Sequence, residues 1–217
     1  KALLSNPQFL SAALVMGGAL GALYAQATFL PFILMDEVGL TPAQFGASML
    51  AQSGSFFTAS LLVRQLMGRF SADRLVGPGL VFVALGSLGT LTLLLWPPSF
   101  LHVMVPVATY SFGIAFVMPA MSTAALAPFG RAAGAAASML GFIQMGSGLL
   151  VGSLGALLGN ALLAMATLIP MMGAVACVSF LVYRKIQPRP AAAAPAETRA
   201  TCGPKVTAPS PVSAPEK

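Results

Sequence analysis

No charged side chain lies between Lys1 and Asp36, between Glu37 and Arg64, between Arg74 and Arg131, or between Arg131 and Arg184. Each of these runs contains one or two apolar stretches that approach or exceed the roughly 20 residues needed to cross a bilayer as a helix. Inside lipid a backbone has no water to bond to, so stretches of this kind satisfy their N–H and C=O groups by coiling. Composition agrees, with 57% hydrophobic and 7% charged residues and a mean hydropathy of +0.87, against about 25% charged in an ordinary soluble domain. The expectation is an all-α, polytopic membrane protein.

The stretch from Arg64 to Gly79 sets the orientation. Arg64, Arg69, Asp73 and Arg74 sit between two apolar runs, and short loops rich in Lys and Arg are retained on the cytoplasmic side. From there the spans are read at 8–35, 44–63, 80–96, 100–126, 132–158 and 161–183, separated by turns at Asp36–Pro42, at Pro97–Ser99, at Pro128–Arg131 and at Gly159–Asn160. Alternation then places Arg64, Arg69, Arg74, Arg131, Arg184, Lys185 and Arg189 on one side and Asp36 and Glu37 on the other. Six transmembrane helices with both termini cytoplasmic follow. Residues 1–7 read as the end of a cytoplasmic linker, 8–185 as the membrane domain, and 186–217 as a disordered Ala/Pro-rich tail that lacks the apolar area to offset ordering entropy.

A net charge of +6 does not point to nucleic acid, because that footprint needs basic residues gathered on a solvated face. Cys177 lies in an apolar run and Cys202 in the polar tail, which suits neither a disulfide framework nor a thiolate metal site. No carboxylate falls inside a span, and the one histidine, His102, stands at the outer start of the fourth, an interfacial position. Without an intramembrane His, Asp or Lys beside a serine there is no nucleophile and base to assemble. Ligand clusters for a metal and glycine loops for a phosphate cofactor are missing too. An enzyme, a metal and a cofactor are therefore not expected.

Two sets of residues inside the spans carry information. In the fifth, Gly134, Ser138, Gly141, Gly148, Gly152, Gly155 and Gly159 recur near one helical stripe; small residues at such spacing let helices approach closely. Gly141, Gly148 and Gly152 are the packing candidates, within one subunit or between two copies. The second set is polar and near mid-depth: Tyr24, Gln52, Tyr110 and Gln144. Each needs a partner away from lipid, found either in a neighbouring helix or in a ligand held within a cavity. At the Arg64 loop, Asp73 is either a latch to Arg64 or Arg69 or an exposed charge at a helix N-terminus, where the backbone dipole favours it.

Three longer segments resemble a known family. Gly68 to Gly77, with Asp73-Arg74 at its centre, resembles the second copy of the G-x-x-x-D-R-x-G-R-R loop motif of major-facilitator transporters, with one extra residue before Asp73, another between Arg74 and Gly77, and Pro78-Gly79 in place of the trailing basic pair. Pro119 to Gln144, through Arg131, Gly134, Ser138 and Gly141, resembles the tenth-to-eleventh helix region of the Bcr/CflA drug-resistance subfamily, and Leu30 to Gly46 resembles its seventh-to-eighth helix junction.

The resemblance implies the C-terminal six-helix half of such a transporter, built as 3+3 inverted repeats, with Pro31 and Pro119 at corresponding places near the ends of the first and fourth spans. It further implies proton-coupled antiport of small amphipathic drugs across a bacterial inner membrane, together with an N-terminal half on another segment. Arg64, Gly68, Asp73 and Arg74 would then be the gating loop, and Tyr24, Gln52, Tyr110 and Gln144 one wall of the drug site. The alternative is a six-span structural or assembly protein, acting as a single subunit or as a homodimer.

Overall fold

A computed structural model of the chain describes residues 6–186, and among these the regular structure is helical, without strands. Helix α1 spans Pro7–Pro31 and runs directly into a π-helical turn, Phe32–Glu37. Helices α2, Pro42–Leu66, and α3, Ala72–Leu91, follow, the latter drawn out by a 3₁₀ turn at Thr92–Leu94. Helix α4 is Phe100–Leu126, a 3₁₀ segment at Ala127–Ala132 leads into α5, Ala133–Leu157, and α6 is Ala161–Ile186. Residues 1–5 of the expected linker and 187–217 of the expected tail, with Arg189 and Cys202, lie outside the described residues.

Polar residues start the helices where the sequence turns. Asn6 Oδ1 accepts from the N–H groups of Gln8 and Phe9 at 3.0 and 3.2 Å. Thr41 and Gln44 form a reciprocal pair: Thr41 Oγ1 accepts from Gln44 N–H, while Gln44 Oε1 accepts from Thr41 N–H. Asn160 Oδ1 accepts from Leu163 N–H at 2.9 Å. Each satisfies a helix-end donor, an effect worth about 1 kcal/mol.

Five helical stretches are long and apolar enough to cross a membrane: Pro7–Glu37, Ala72–Leu94, Phe100–Gly130, Ala133–Leu157 and Ala161–Ile186. This is the character of a multi-pass membrane protein. Helix α2, expected as the second span, has the length but not the apolarity. Its Gln44, Ser48, Gln52, Ser53, Ser55, Thr58, Ser60, Arg64 and Gln65 set it apart from the other five.

The packing is centred on α1 and α4, which touch each other and supply most of the buried core. Helix α1 also packs on α5 and α6, α4 packs on α2 and α3, and α3 meets α6. Close approach replaces hydrophobic drive in such a bundle. A Cβ on Gly113 would stand 2.6 Å from Gly79 O and Val83 N, and one on Gly86 would stand 2.7 Å from Tyr110 N, so α3 and α4 meet backbone to backbone. Helix α4 stays continuous through Pro106 and Pro119, and the Pro106 ring is received by Gly89. Between α1 and α6 the same role falls to Gly18, facing Met172 O and Ala176 at 3.0 Å.

The bundle has two chemically distinct ends. Arg64, Arg69, Arg74, Arg184 and Lys185 lie at or just beyond the ends of α2, α3 and α6, and Phe9 of α1 meets Phe129 of the α4–α5 connection at the same end, ring centroids 5.5 Å apart. Asp36 and Glu37 stand at the other, beside the α5–α6 turn.

Candidate functional site

Midway along the bundle a cavity of about 320 Å³ opens where α1, α2 and α4 converge, lined by Leu20, Leu23, Tyr24, Gln52, Ser53, Phe56, Ser111 and Met118. Tyr24 is held over it by α5: a Cβ on Gly148 would lie 2.8 Å from Tyr24 Cβ, so the missing side chain makes room for the tyrosine. Gln52 is placed by α4, donating from Nε2 to Ser111 Oγ at 3.2 Å. One turn on, Ser55 Oγ donates to Ala108 O at 2.8 Å and fixes the same seam. Gln52 Oε1 and the Tyr24 hydroxyl make no hydrogen bond among the described residues. The cavity thus offers the Gln52 acceptor and the hydroxyls of Tyr24, Ser53 and Ser111 beside Leu20, Leu23, Phe56 and Met118, and none of its lining residues is charged. That is the chemistry of a site for a neutral or weakly polar amphipath.

The other two polar residues singled out in the sequence are elsewhere. Tyr110 is fully buried and its hydroxyl donates to Ala19 O at 3.0 Å, which ties α4 to α1 inside the core. It is a neighbour of Ser111 in sequence, but it points about 100° away around the helix. Gln144, on α5, is half-buried and is not among the residues that line this cavity. In its place the cavity gains Ser53 and Ser111.

A second cavity, of about 670 Å³, shares Phe56 and Met118 with the first and continues along the α2–α4 seam past Ala115, Pro119 and Ser122 to Arg64. Arg64 is therefore at the mouth of a groove leading to the polar cavity. Asp73 is exposed in the first turn of α3. It lies near the Tyr183 phenol toward the end of α6, and among the described residues it makes no ion pair with Arg64 or Arg69. Gly68 is exposed in the turn between α2 and α3, its N–H bonded to Gln65 O at 3.3 Å. Arg74, beside Asp73, is exposed as well.

Of the packing glycines, Gly148 alone is in tight contact; nothing lies within 4 Å of a Cβ built on Gly141, and Gly152 meets only Thr28 Oγ1 at 3.9 Å. Gly155 was the stronger candidate, since a Cβ there would collide with the ring of Phe29. His102 belongs to a local brace. Thr92 Oγ1 bonds both Gly89 O and His102 Nε2 at 2.7 Å. A carbonyl only accepts, so the threonine's one hydrogen goes to Gly89 and the imidazole Nε2–H donates to Thr92.

Two buried polar residues escaped the sequence reading. The Gln26 amide is fully buried in α1 with neither its Nε2 nor its Oε1 bonded, and Ser87 Oγ in α3 is likewise buried and unbonded. Gln26 is two residues from Tyr24 and equally polar, but on the side of α1 that faces the core. Compared with known proteins, the chain matches no family model and no curated sequence.

Proposed function

We propose that the chain is the second six-helix half of a major-facilitator exporter of the Bcr/CflA kind, moving small amphipathic compounds out of a bacterial cytoplasm by proton-coupled antiport. The observation that carries this reading is the uncharged cavity of Tyr24, Gln52, Ser53 and Ser111, at mid-depth on the face formed by α1, α2 and α4. Transporter sites lie near the bilayer midplane at the interface of two repeats.

The packing supports it. Exchanging α1 with α4, α2 with α5 and α3 with α6 leaves the main contacts unchanged: α1–α5 becomes α4–α2, α1–α6 becomes α4–α3, and α1–α4 and α3–α6 map onto themselves. Two three-helix repeats of opposite sense have that relation. Helices α2 and α5 are the least buried, and Leu50, Phe57, Phe142, Met145 and Leu149 on them are more than half exposed. A partner half would cover part of that face, and the polar side of α2 would line the water-filled path between the halves. In this reading the Arg64 end is cytoplasmic, both termini are cytoplasmic, and acidic groups that couple protons belong to the other half.

The test is accumulation of a fluorescent amphipath in cells expressing the complete reading frame, with and without an uncoupler. Expression should lower accumulation, the uncoupler should restore it, and Tyr24→Ala should abolish the difference at unchanged protein level. Equal accumulation in all four conditions sinks the transporter reading and leaves a structural or assembly protein, which the exposed faces of α2 and α5 would equally suit.

A further inference from the structure

A third cavity, at the Asp36 end, has a different chemistry. It measures about 360 Å³ and is walled by three segments: Thr28, Phe29 and Phe32 of α1 and its π-helical turn, Gly152 and Gly155 of α5, and Asn160 and Ala161 at the start of α6. The π-helical turn brings Asp36 and Glu37 to the same cavity. Because such a turn holds more than four residues, the two carboxylates stand about one turn beyond Phe32 and on its side. Thr28 and Asn160 are already engaged, the hydroxyl donating to Tyr24 O at 3.1 Å and the amide oxygen accepting from Leu163 N–H. Both carboxylates are exposed, and no lining residue is basic. The cavity is therefore aromatic where the Phe29 ring lies on Gly155 and Phe32 stands beside it, and open over Gly152, with a formal charge of −2 from two carboxylates at its rim.

We infer that this cavity binds a lipophilic organic cation, its apolar body between Phe29, Phe32 and the glycine floor and its charge facing Asp36 and Glu37. Aromatic faces attract a cation through their quadrupole, and most strongly where water is partly excluded. The volume falls within the range of small-molecule sites, about 300–1,000 Å³. Gly152 is what keeps the floor open: its nearest neighbour, Thr28 Oγ1, is 3.9 Å from where a Cβ would be. This site is separate from the mid-depth cavity and does not depend on the exporter reading.

The experiment uses two probes of matched shape and opposite charge, tetraphenylphosphonium and tetraphenylborate, and measures saturable binding to the purified chain in a neutral detergent. The chain should bind the cation and not the anion, more weakly as ionic strength rises. Asp36→Asn with Glu37→Gln should weaken cation binding about tenfold or more, the equivalent of one 1.4 kcal/mol step. Gly152→Leu should weaken it by filling the floor. Asp36→Lys with Glu37→Lys should lose the cation and gain saturable tetraphenylborate binding, a gain that a misfolded chain would not produce.

Equal binding of both probes by the parent chain overturns the inference, as does cation binding that the Asn/Gln pair leaves unchanged. Binding lost in Gln52→Leu but kept in the Asn/Gln pair overturns it too, because the cation would then occupy the mid-depth cavity. If cation binding behaves as expected while no export is found in cells, the exporter reading alone fails.

Discussion

The hydroxyl of Tyr110 in α4 donates to the carbonyl of Ala19 in α1 across 3.0 Å, with the tyrosine wholly buried. This bond joins the two central helices, so Tyr110 contributes to stability rather than to the cavity. Tyr110→Phe removes the donor and keeps the ring. A neutral bond of this kind is worth about 0.5–1.5 kcal/mol net. The unfolding temperature of the purified chain in detergent should therefore fall modestly, while ligand binding at the mid-depth cavity stays unchanged. Tyr110→Ala also opens a hole in the core and should cost about 3–5 kcal/mol, enough to lower the yield of folded protein. Loss of ligand binding in Tyr110→Phe at unchanged stability would contradict the assignment.

Gly148 and Gly141 lie two turns apart on the same helix and should respond in opposite ways. A Cβ on Gly148 meets Tyr24 Cβ at 2.8 Å and Gly21 O at 3.3 Å, whereas one on Gly141 meets nothing within 4 Å. Gly148→Ala must push α5 from α1, with an overpacking cost of about 1–3 kcal/mol. Gly141→Ala gains helix propensity without a clash, up to about 1 kcal/mol. Thermal unfolding of the two variants beside the parent decides the matter, and equal shifts of the same sign would refute the contact.

These cases show what the sequence made legible. Charged and turn-forming residues punctuate the chain, so the number and rough limits of the helices could be read from Asp36, Arg64, Pro97, Arg131 and Asn160. Helix α3 begins at Ala72 rather than at Leu80, the start of the third span read from the sequence, and Gly77-Pro78-Gly79 lies inside it. Gly79 is there for contact: a Cβ would lie 2.7 Å from Phe116 Cβ. Spacing finds small residues but not the neighbour they face, so the stripe on α5 drew attention while the tighter α3–α4 seam of Gly79, Gly86 and Gly113 did not. The same limit separates Tyr24 from Tyr110, both aromatic and both near mid-depth, one at a cavity and one in the core.

Gln26 is the buried polar group whose removal should help. Its amide is 0% exposed and has no hydrogen-bond partner, and leaving such a group unsatisfied costs about 1–3 kcal/mol. Gln26→Met keeps a long unbranched side chain and removes both polar atoms. The expected result is a rise in unfolding temperature. A fall would mean that the amide is bonded in the folded protein, to ordered water or to another segment.

Gln52 and Ser111 should behave as a coupled pair in ligand binding. The hydroxyl of Ser111 receives the Gln52 amide hydrogen at 3.2 Å, which leaves Gln52 Oε1 as the acceptor available to a ligand in the cavity. Gln52→Leu removes that acceptor and should weaken binding of an amphipath carrying a hydrogen-bond donor about tenfold or more, since discarding one partner strands the other. Ser111→Ala leaves the amide in place but unanchored, so the loss should be smaller. Because the serine acts only through the glutamine, the double variant should bind no worse than Gln52→Leu alone, giving a coupling energy of about 0.5–1.5 kcal/mol in a double-mutant cycle. Binding measured by equilibrium dialysis on the four proteins supplies the cycle. Strict additivity would show that the two side chains act separately, and an unchanged affinity in Gln52→Leu would remove Gln52 from the site.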